Sequence, residues 1–241
     1  MPIESSGSDE SVYVLLQVRL PDRPGGLGLV ASRIGALRGD IVDVTVLDHR
    51  SASAVDQLTV RLGSADHLRM VVREVEEVDG VTVEAARLVA DPRDPGAETL
   101  RTISALLEAH NVSELQRSLA HGIRRRFVAE WAMVVTADAV VATSGPAPAL
   151  SGIPGARPAT GNEGGEADGS DAADGESTGD PGVDHGDGTL AGGTIARGLL
   201  PEHGAEVLVG RPDHPFYPRE CAMVRIMSRM ADAVWGHHDS R

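Results

Sequence analysis

From Val12 to Leu20 every even position is apolar (Val12, Val14, Leu16, Val18 and Leu20), which predicts a strand with one buried face. Leu27, Val30, Ala31, Ile34 and Leu37 then fall on one helical stripe, and Gly39 predicts its C-terminal stop. Val42, Val44 and Val46 alternate as a second strand, and Leu58, Val60 and Leu62 as a third. Leu68, Val71, Val72, Val75 and Val78 repeat the helical spacing, and Val81, Val83 and Ala85 begin a fourth strand. The expected order is β-α-β-β-α-β over residues 12–90. That is the ferredoxin-like α+β arrangement, with two helices on one face of an antiparallel sheet.

Asp91-Pro92-Arg93-Asp94-Pro95-Gly96 continues neither period, so residues 91–97 read as a linker. Beyond it Leu100, Ile103, Leu106 and Leu107 predict one helix, and Leu115, Leu119 and Ile123 another. Ser113 with Gln116 suggests a capping box at the second helix start. Phe127–Thr136 runs from a helix end into a strand, Ala137-Asp138 turns, and Ala139–Thr143 is a partner strand. Glu206–Gly210 is a further short strand. Pro218 opens a last helix with Met223, Val224, Met227, Met230, Val234 and Trp235 on one side.

Composition changes the picture at Ser151. From there to Gly193 stand 13 glycines and 9 acidic residues against one arginine, a stretch too polar to offset its own ordering entropy and expected to be disordered. Residues 1–11 are expected to be disordered too, and residues 238–241 form a tail. The 241-residue chain has a net charge of −14, and all 22 of its basic residues are arginine. So acidic a chain argues against a nucleic-acid partner. A lone cysteine, Cys221, excludes an internal disulfide framework. No apolar leader and no membrane-spanning run are read, and a cytoplasmic location is expected.

The candidate chemistry lies between the first strand and the first helix, in Asp22-Arg23-Pro24-Gly25-Gly26-Leu27. Pro24 fixes its φ, and the two glycines permit positive φ and leave their amides bare. Those amides stand at the positive end of the following helix, a cradle for a carboxylate. Asp22, and Asp40 before Ile41, offer oxygens to an ammonium, so the two charges together describe a free amino acid. The turn can also be read as a tight connection with no ligand.

With Gly39-Asp40-Ile41 after the helix, the stretch Val12–Val89 resembles an ACT domain, the small amino-acid-sensing module of regulated metabolic enzymes and regulators. The resemblance implies an effector at this turn, between two copies of the chain, with Asp22, Pro24, Gly25, Gly26, Leu27, Asp40 and Ile41 as its surroundings. Asp40 departs from the asparagine that many relatives carry there. The leading helix, the strand opening with Ala129-Glu130-Trp131-Ala132 and the closing helix after Gly210-Arg211-Pro212 resemble a GAF-type α/β domain over Glu98–Val234. Its parts are residues 98–150 and 194–237, and residues 151–193 stand where the ligand pocket belongs. A shortened, ligand-free version is expected.

Other constellations carry less. The nine histidines form no metal-binding spacing, and His237-His238 reads as a solvated helix tail. Asp184–Gly188 lacks the full ligand set of a calcium loop. Arg124-Arg125-Arg126 complements a helix end, the methionines Met223, Met227 and Met230 have core spacing, and Cys221 reads as a core thiol. Asn111-Val112-Ser113 matches a glycosylation acceptor with no secretory signal to use it. No nucleophile elbow or phosphate loop occurs. The sequence thus predicts a non-catalytic regulatory protein without metal or cofactor, sensing an amino acid or similar small carboxylate and acting through a homodimer or a protein partner. The alternative is a ligand-free assembly module.

Overall fold

The computed structural model describes residues 11–50, 52–89, 94–137, 139–149, 151, 153, 189–190 and 194–239. The first unit runs β1 (Val12–Pro21), α1 (Gly26–Ala36), β2 (Asp40–Arg50), β3 (Ser53–Leu62), α2 (Leu68–Glu76) and β4 (Thr82–Val89), the order expected from the periodicities. Its antiparallel sheet is ordered β2-β3-β1-β4. Leu16, Val18, Leu58 and Val60 on the inner strands are buried against Val30 and Ile34 of α1 and Val71 and Val75 of α2. Each such side chain contributes about 1.5–3 kcal/mol by leaving water.

Helix α1 stops differently from the expectation at Gly39. Arg38 takes the left-handed backbone (φ 59°), and the N–H groups of Arg38 and Gly39 donate to the carbonyls of Gly35 and Ile34. The glycine follows the left-handed residue, and what it supplies is room. A Cβ on Gly39 would lie 2.7 Å from Cγ2 of Ile34 and 3.1 Å from Cδ2 of Leu62.

The second unit runs α3 (Pro95–Glu108), α4 (Val112–Arg126), β5 (Trp131–Val135), β6 (Val140–Ser144), β7 (Thr189–Leu190), β8 (Ile195–Leu200), β9 (Ala205–Gly210) and α5 (Pro218–Asp239). Its sheet is antiparallel in the order β6-β5-β9-β8-β7. Leu119, Ile123, Val134, Val207, Val224 and Met227 join α4 and α5 to one face, and Cys221 is buried in the same core. Helix α4 begins two residues before the expected box. The Asn111 side chain accepts from the N–H of Glu114 at 2.9 Å, and Glu114 reaches back to the N–H of His110 at 3.0 Å. The Asn111–Glu114 pair closes the helix start two residues earlier than a Ser113–Gln116 box would, taking the N–H groups of Glu114 and His110.

The expected disordered stretch 151–193 is too wide at both ends. Ile153 is buried with Trp131, Met133, Val135, Ile195 and Leu208, and Thr189–Leu190 pairs with Ile195–Ala196. The interior, with Asp184–Gly188, lies outside the described residues, as do residues 1–10, 90–93, 138 and 240–241.

The expectation of a single buried face on β1 also fails, because Leu15 and Gln17 are buried as well. The second unit packs on the side of the sheet that carries no helix. Leu47 and Val55 share a cluster with Tyr217, Arg87 donates to the carbonyl of Val128 at 2.9 Å, and Arg219 donates to that of Val46 at 2.9 Å. Burial beside Arg211 and Arg87 pushes His214 in this seam down to about 3, and neither of its ring nitrogens has a partner among the described residues.

Replacing Gly39 with alanine is expected to destabilise the chain by about 1–3 kcal/mol through overpacking. Urea unfolding checks it, and an unchanged midpoint refutes the packing argument. His214 binds a proton less readily folded than unfolded, so its contribution is present above the ordinary imidazole range and is lost as pH falls through that range. Melting curves from about pH 7 to about pH 4 should show a smaller acid loss in His214→Gln than in the parent chain.

Candidate functional site

The turn expected to carry chemistry is built by its own backbone. The N–H of Arg23 donates to Pro21 O at 2.8 Å and that of Gly26 to Arg23 O at 3.1 Å. Gly25, the residue before α1, lies at φ 86° and ψ −7°, the left-handed region that favours glycine. No side chain caps α1. Among the described residues nothing accepts from the N–H groups of Leu27 and Gly28, which are the donors that face outward at its positive end. Gly26 is a correction: its amide is consumed in the turn and it is buried, with a Cβ position 3.3 Å from Leu20. The helix-start amides left without an acceptor are therefore those of Leu27 and Gly28, past the glycine pair.

These donors face a hollow of about 220 Å³ whose lining includes Asp22, Gly25, Leu27, Val46, His49 and Asp56. At its rim Asp22 Oδ2 lies 3.5 Å from His49 Nε2. Across it stands Asp56 on β3, only 4% exposed, whose Oδ1 has no hydrogen-bond partner among the described residues. Burial pushes this carboxyl above the ordinary aspartate range, and His49 opposes the shift. An unpaired buried oxygen is unfavourable by about 1–3 kcal/mol. The lining thus includes two helix-start residues whose amides have no acceptor and a buried carboxyl with one unpartnered oxygen, a set that suits a small molecule bearing an anion and a cation.

Of the expected site residues, Asp22, Gly25, Gly26 and Leu27 line the hollow, and Pro24 is exposed in the turn beside it. Asp40 and Ile41 do not reach it within one chain. They open β2 at its other end, where Asp40 accepts from Arg61 Nη2 at 2.8 Å and Ile41 pairs with Val60. Nine strand residues at about 3.3 Å each separate Asp40 from His49, roughly 30 Å. Asp56 was missed, although the sequence carries its signal. Extending the alternation Leu62, Val60, Leu58 backwards reaches Asp56 and Ala54, so one acid interrupts an apolar period.

The remaining candidates are structural. Arg124 donates to Glu130 O, Arg125 pairs with Glu98 and Arg126 donates to Thr99 Oγ1, so the arginine run ties α4 to its neighbours. His203 lies 2.7 Å from Asp232 and stacks on Trp235. Among the described residues no group of three His, Cys, Asp or Glu side chains converges where a metal ion would bind, and no helix is long and apolar enough to cross a membrane.

No protein-family model and no curated protein matches this chain. Solved structures overlap it in part. The ACT domain from the GTP pyrophosphokinase of Chlorobium tepidum, in solution, is 12% identical with a TM-score of 0.28, covering 35% of this chain and 92% of that one. The crystal structure of the same domain gives 13% identity, a TM-score of 0.28, and coverage of 33% and 99%. A formyltetrahydrofolate deformylase from Pseudomonas putida gives 16%, 0.26, and coverage of 38% and 36%. Overlaps this partial decide nothing about what the chain does.

Asp56→Asn removes a charge that folding desolvates and is expected to stabilise the chain by about 1 kcal/mol near neutral pH, or 2–4 °C in melting temperature. Because the folded carboxyl holds its proton to higher pH than the unfolded one, its share of stability is full in acid and is lost as pH rises through the folded value. The variant's melting temperature should therefore fall less than the parent's from about pH 4 to about pH 8. Equal slopes would refute the burial of an unpaired carboxylate.

Proposed function

We propose that the chain is a non-catalytic regulatory protein whose first unit binds a small free amino acid beside Gly25. The observation that carries this reading is Asp56, a buried carboxylate with an unsatisfied oxygen in the same hollow as the uncapped start of α1. The effector carboxylate takes the N–H groups of Leu27 and Gly28, where the helix end favours an anion. Its ammonium takes Asp56. Ionisation of Asp56 then assists binding, so affinity rises with pH through the same range in which the free chain loses stability.

The hollow, at about 220 Å³, is smaller than most small-molecule pockets, which span roughly 300–1,000 Å³. A second copy supplies the missing wall. Strand β2 is an edge, and its Val42, Val44 and Val46 are exposed, next to an exposed Leu29 on α1. An open strand edge with an apolar flank is a template for pairing. Two copies related by a two-fold axis run their β2 strands in opposite directions, which carries Asp40 and Ile41 of one toward the Val46 end of the other. Residues 40 and 41, remote from the hollow in one chain, then become part of its boundary.

Transmission follows β2. Val46 lines the hollow with its side chain and receives Arg219 of α5 on its carbonyl, and the next residue, Leu47, packs on Tyr217. A ligand that shifts β2 relative to α1 thereby biases the seat of the second unit. A ligand-free assembly module is the second reading, favoured by exposed Leu100 and Leu107 on α3 and Ile226 and Met230 on α5.

A thermal-shift screen of the free amino acids separates the two, since a ligand at 100 times its Kd stabilises by about 2.7 kcal/mol. A shift from a small amino acid, abolished in Asp56→Asn, is expected, and no shift from any of them overturns the sensing role. Aspartate at position 25 is a poor control, because a side chain there strains a left-handed backbone by about 1–2 kcal/mol. Val44→Asp should convert a dimer to monomers in sedimentation velocity and weaken binding together. A chain that is monomeric throughout while still binding would refute the two-copy site.

A further inference from the structure

A second cavity, of about 480 Å³, lies on the opposite side of the first sheet from the Gly25 hollow. Its floor is Asp43, Thr45, Leu47 and Gln57 of the sheet face that carries no helix, and its walls are the starts of α3 and α5 and the end of α4. Its volume falls within the usual range for small-molecule sites. Leu47, Leu100, Phe127 and Met223 make part of the lining apolar.

The polar part is two guanidinium groups. Arg126 and Arg219 both line the cavity, and the charges that act on Arg126 are, in order, those of Glu220, Arg219, Asp43 and Asp94. Burial is the largest influence on Arg126 and lowers its proton affinity, and its donor contact is to a neutral hydroxyl, Thr99 Oγ1, at 3.1 Å. Arg219 donates to a neutral carbonyl, that of Val46. Among the described residues no carboxylate forms an ion pair with either arginine. The three acids of the lining have other bonds. Glu220 holds Arg211 and the N–H of Tyr217, Asp94 caps α3 by accepting from Gly96 and Ala97, and Asp43 accepts from Thr45 Oγ1. Two like charges, one of them desolvated, are held on a shared wall without a counter-charge in contact. The three acids offset the burial of Arg126 only in part, and an anion set between the two guanidinium groups would relieve the remainder.

We propose that this cleft is a second binding site, for a small molecule with an apolar body and one anionic group, a carboxylate or a phosphate ester. The anion lies between Arg126 and Arg219, where guanidinium forks donate paired bonds, and the apolar body lies against Leu47, Phe127 and Met223. Such a ligand touches both units at once, so its binding fastens the seam that the β2 route crosses. The site is independent of the reading given to the Gly25 hollow and stands if that reading fails.

The test is calorimetric titration of the full chain with benzoate, with phenyl phosphate and, as the uncharged control, with benzyl alcohol. Saturable binding of at least one anion is expected, with no saturable heat from benzyl alcohol, and the better of the two anions identifies the class. Arg126→Gln together with Arg219→Gln should weaken it by about tenfold or more. Met223→Trp, which fills the cavity and leaves both arginines, should abolish it, and Asp56→Asn should leave it unchanged. Each variant is first shown to melt cooperatively. No saturable heat from either anion overturns the proposal. So does unchanged affinity in the double variant or in Met223→Trp, and so does loss of affinity in Asp56→Asn, which would put the probe in the other hollow.

Discussion

The buried pair between Arg211 and Glu220 is the contact on which the union of the two units depends. The guanidinium donates to both carboxylate oxygens, at 2.9 and 2.6 Å, and also to the carbonyls of Phe127, His214 and Pro215. Its carbon stands 4.0 Å from the centre of the Phe216 ring. One side chain thus gathers the end of α4, the connection after β9 and the first turn of α5. That connection carries Tyr217 to the sheet of the first unit, and α5 carries Arg219. A buried pair of this kind adds little net stability over an apolar substitute, but breaking it leaves an uncompensated charge and costs about 3–5 kcal/mol. Its contribution is therefore specificity of shape: it fixes where the seam is.

The seam explains which parts of the architecture periodicity disclosed and which it did not. Strand β1 was readable because Val12, Val14, Leu16, Val18 and Leu20 answer to a local rule, and the helices of the first unit because their stripes face one sheet. The burial of Leu15 and Gln17 was not readable. Nothing in β1 announces that a second unit will pack on the side of the sheet that carries no helix. The same holds for the end of α1, where Arg38 takes the left-handed backbone and Gly39 leaves room for Ile34 and Leu62. Ile153 and Leu190 were lost to averaging, since each is a single apolar residue at the margin of a glycine-rich stretch.

The candidate site was half legible, for a related reason. The glycine turn is local, and its left-handed residue and uncapped helix start follow from sequence alone. The partner group is not local. Asp56 comes from β3 and reaches the hollow only because β2 and β3 pair so that Val46 faces Asp56. Asp22 and Asp40 both offer oxygens to an ammonium in the sequence, and the sheet keeps Asp22 at the hollow while it carries Asp40 to the far end of its strand. An acid interrupting a buried alternation was the better guide, because desolvating a carboxylate without a partner is unfavourable enough to need a function or an accident to explain it.

Strand β2 unites these observations. One of its faces looks at the Gly25 hollow through Val46, the other at the arginine cleft through Asp43, Thr45 and Leu47, and its free edge is available to another chain. An element packed between two cavities cannot be displaced toward one without changing the other, because packed contacts offer few intermediate arrangements. Any coupling between occupants of the two cavities is then reciprocal: whatever factor one imposes on the affinity of the other is returned in the same measure. Arg219 stands at that junction: it donates to the carbonyl of Val46, the residue that borders the Gly25 hollow, and it also lines the arginine cleft.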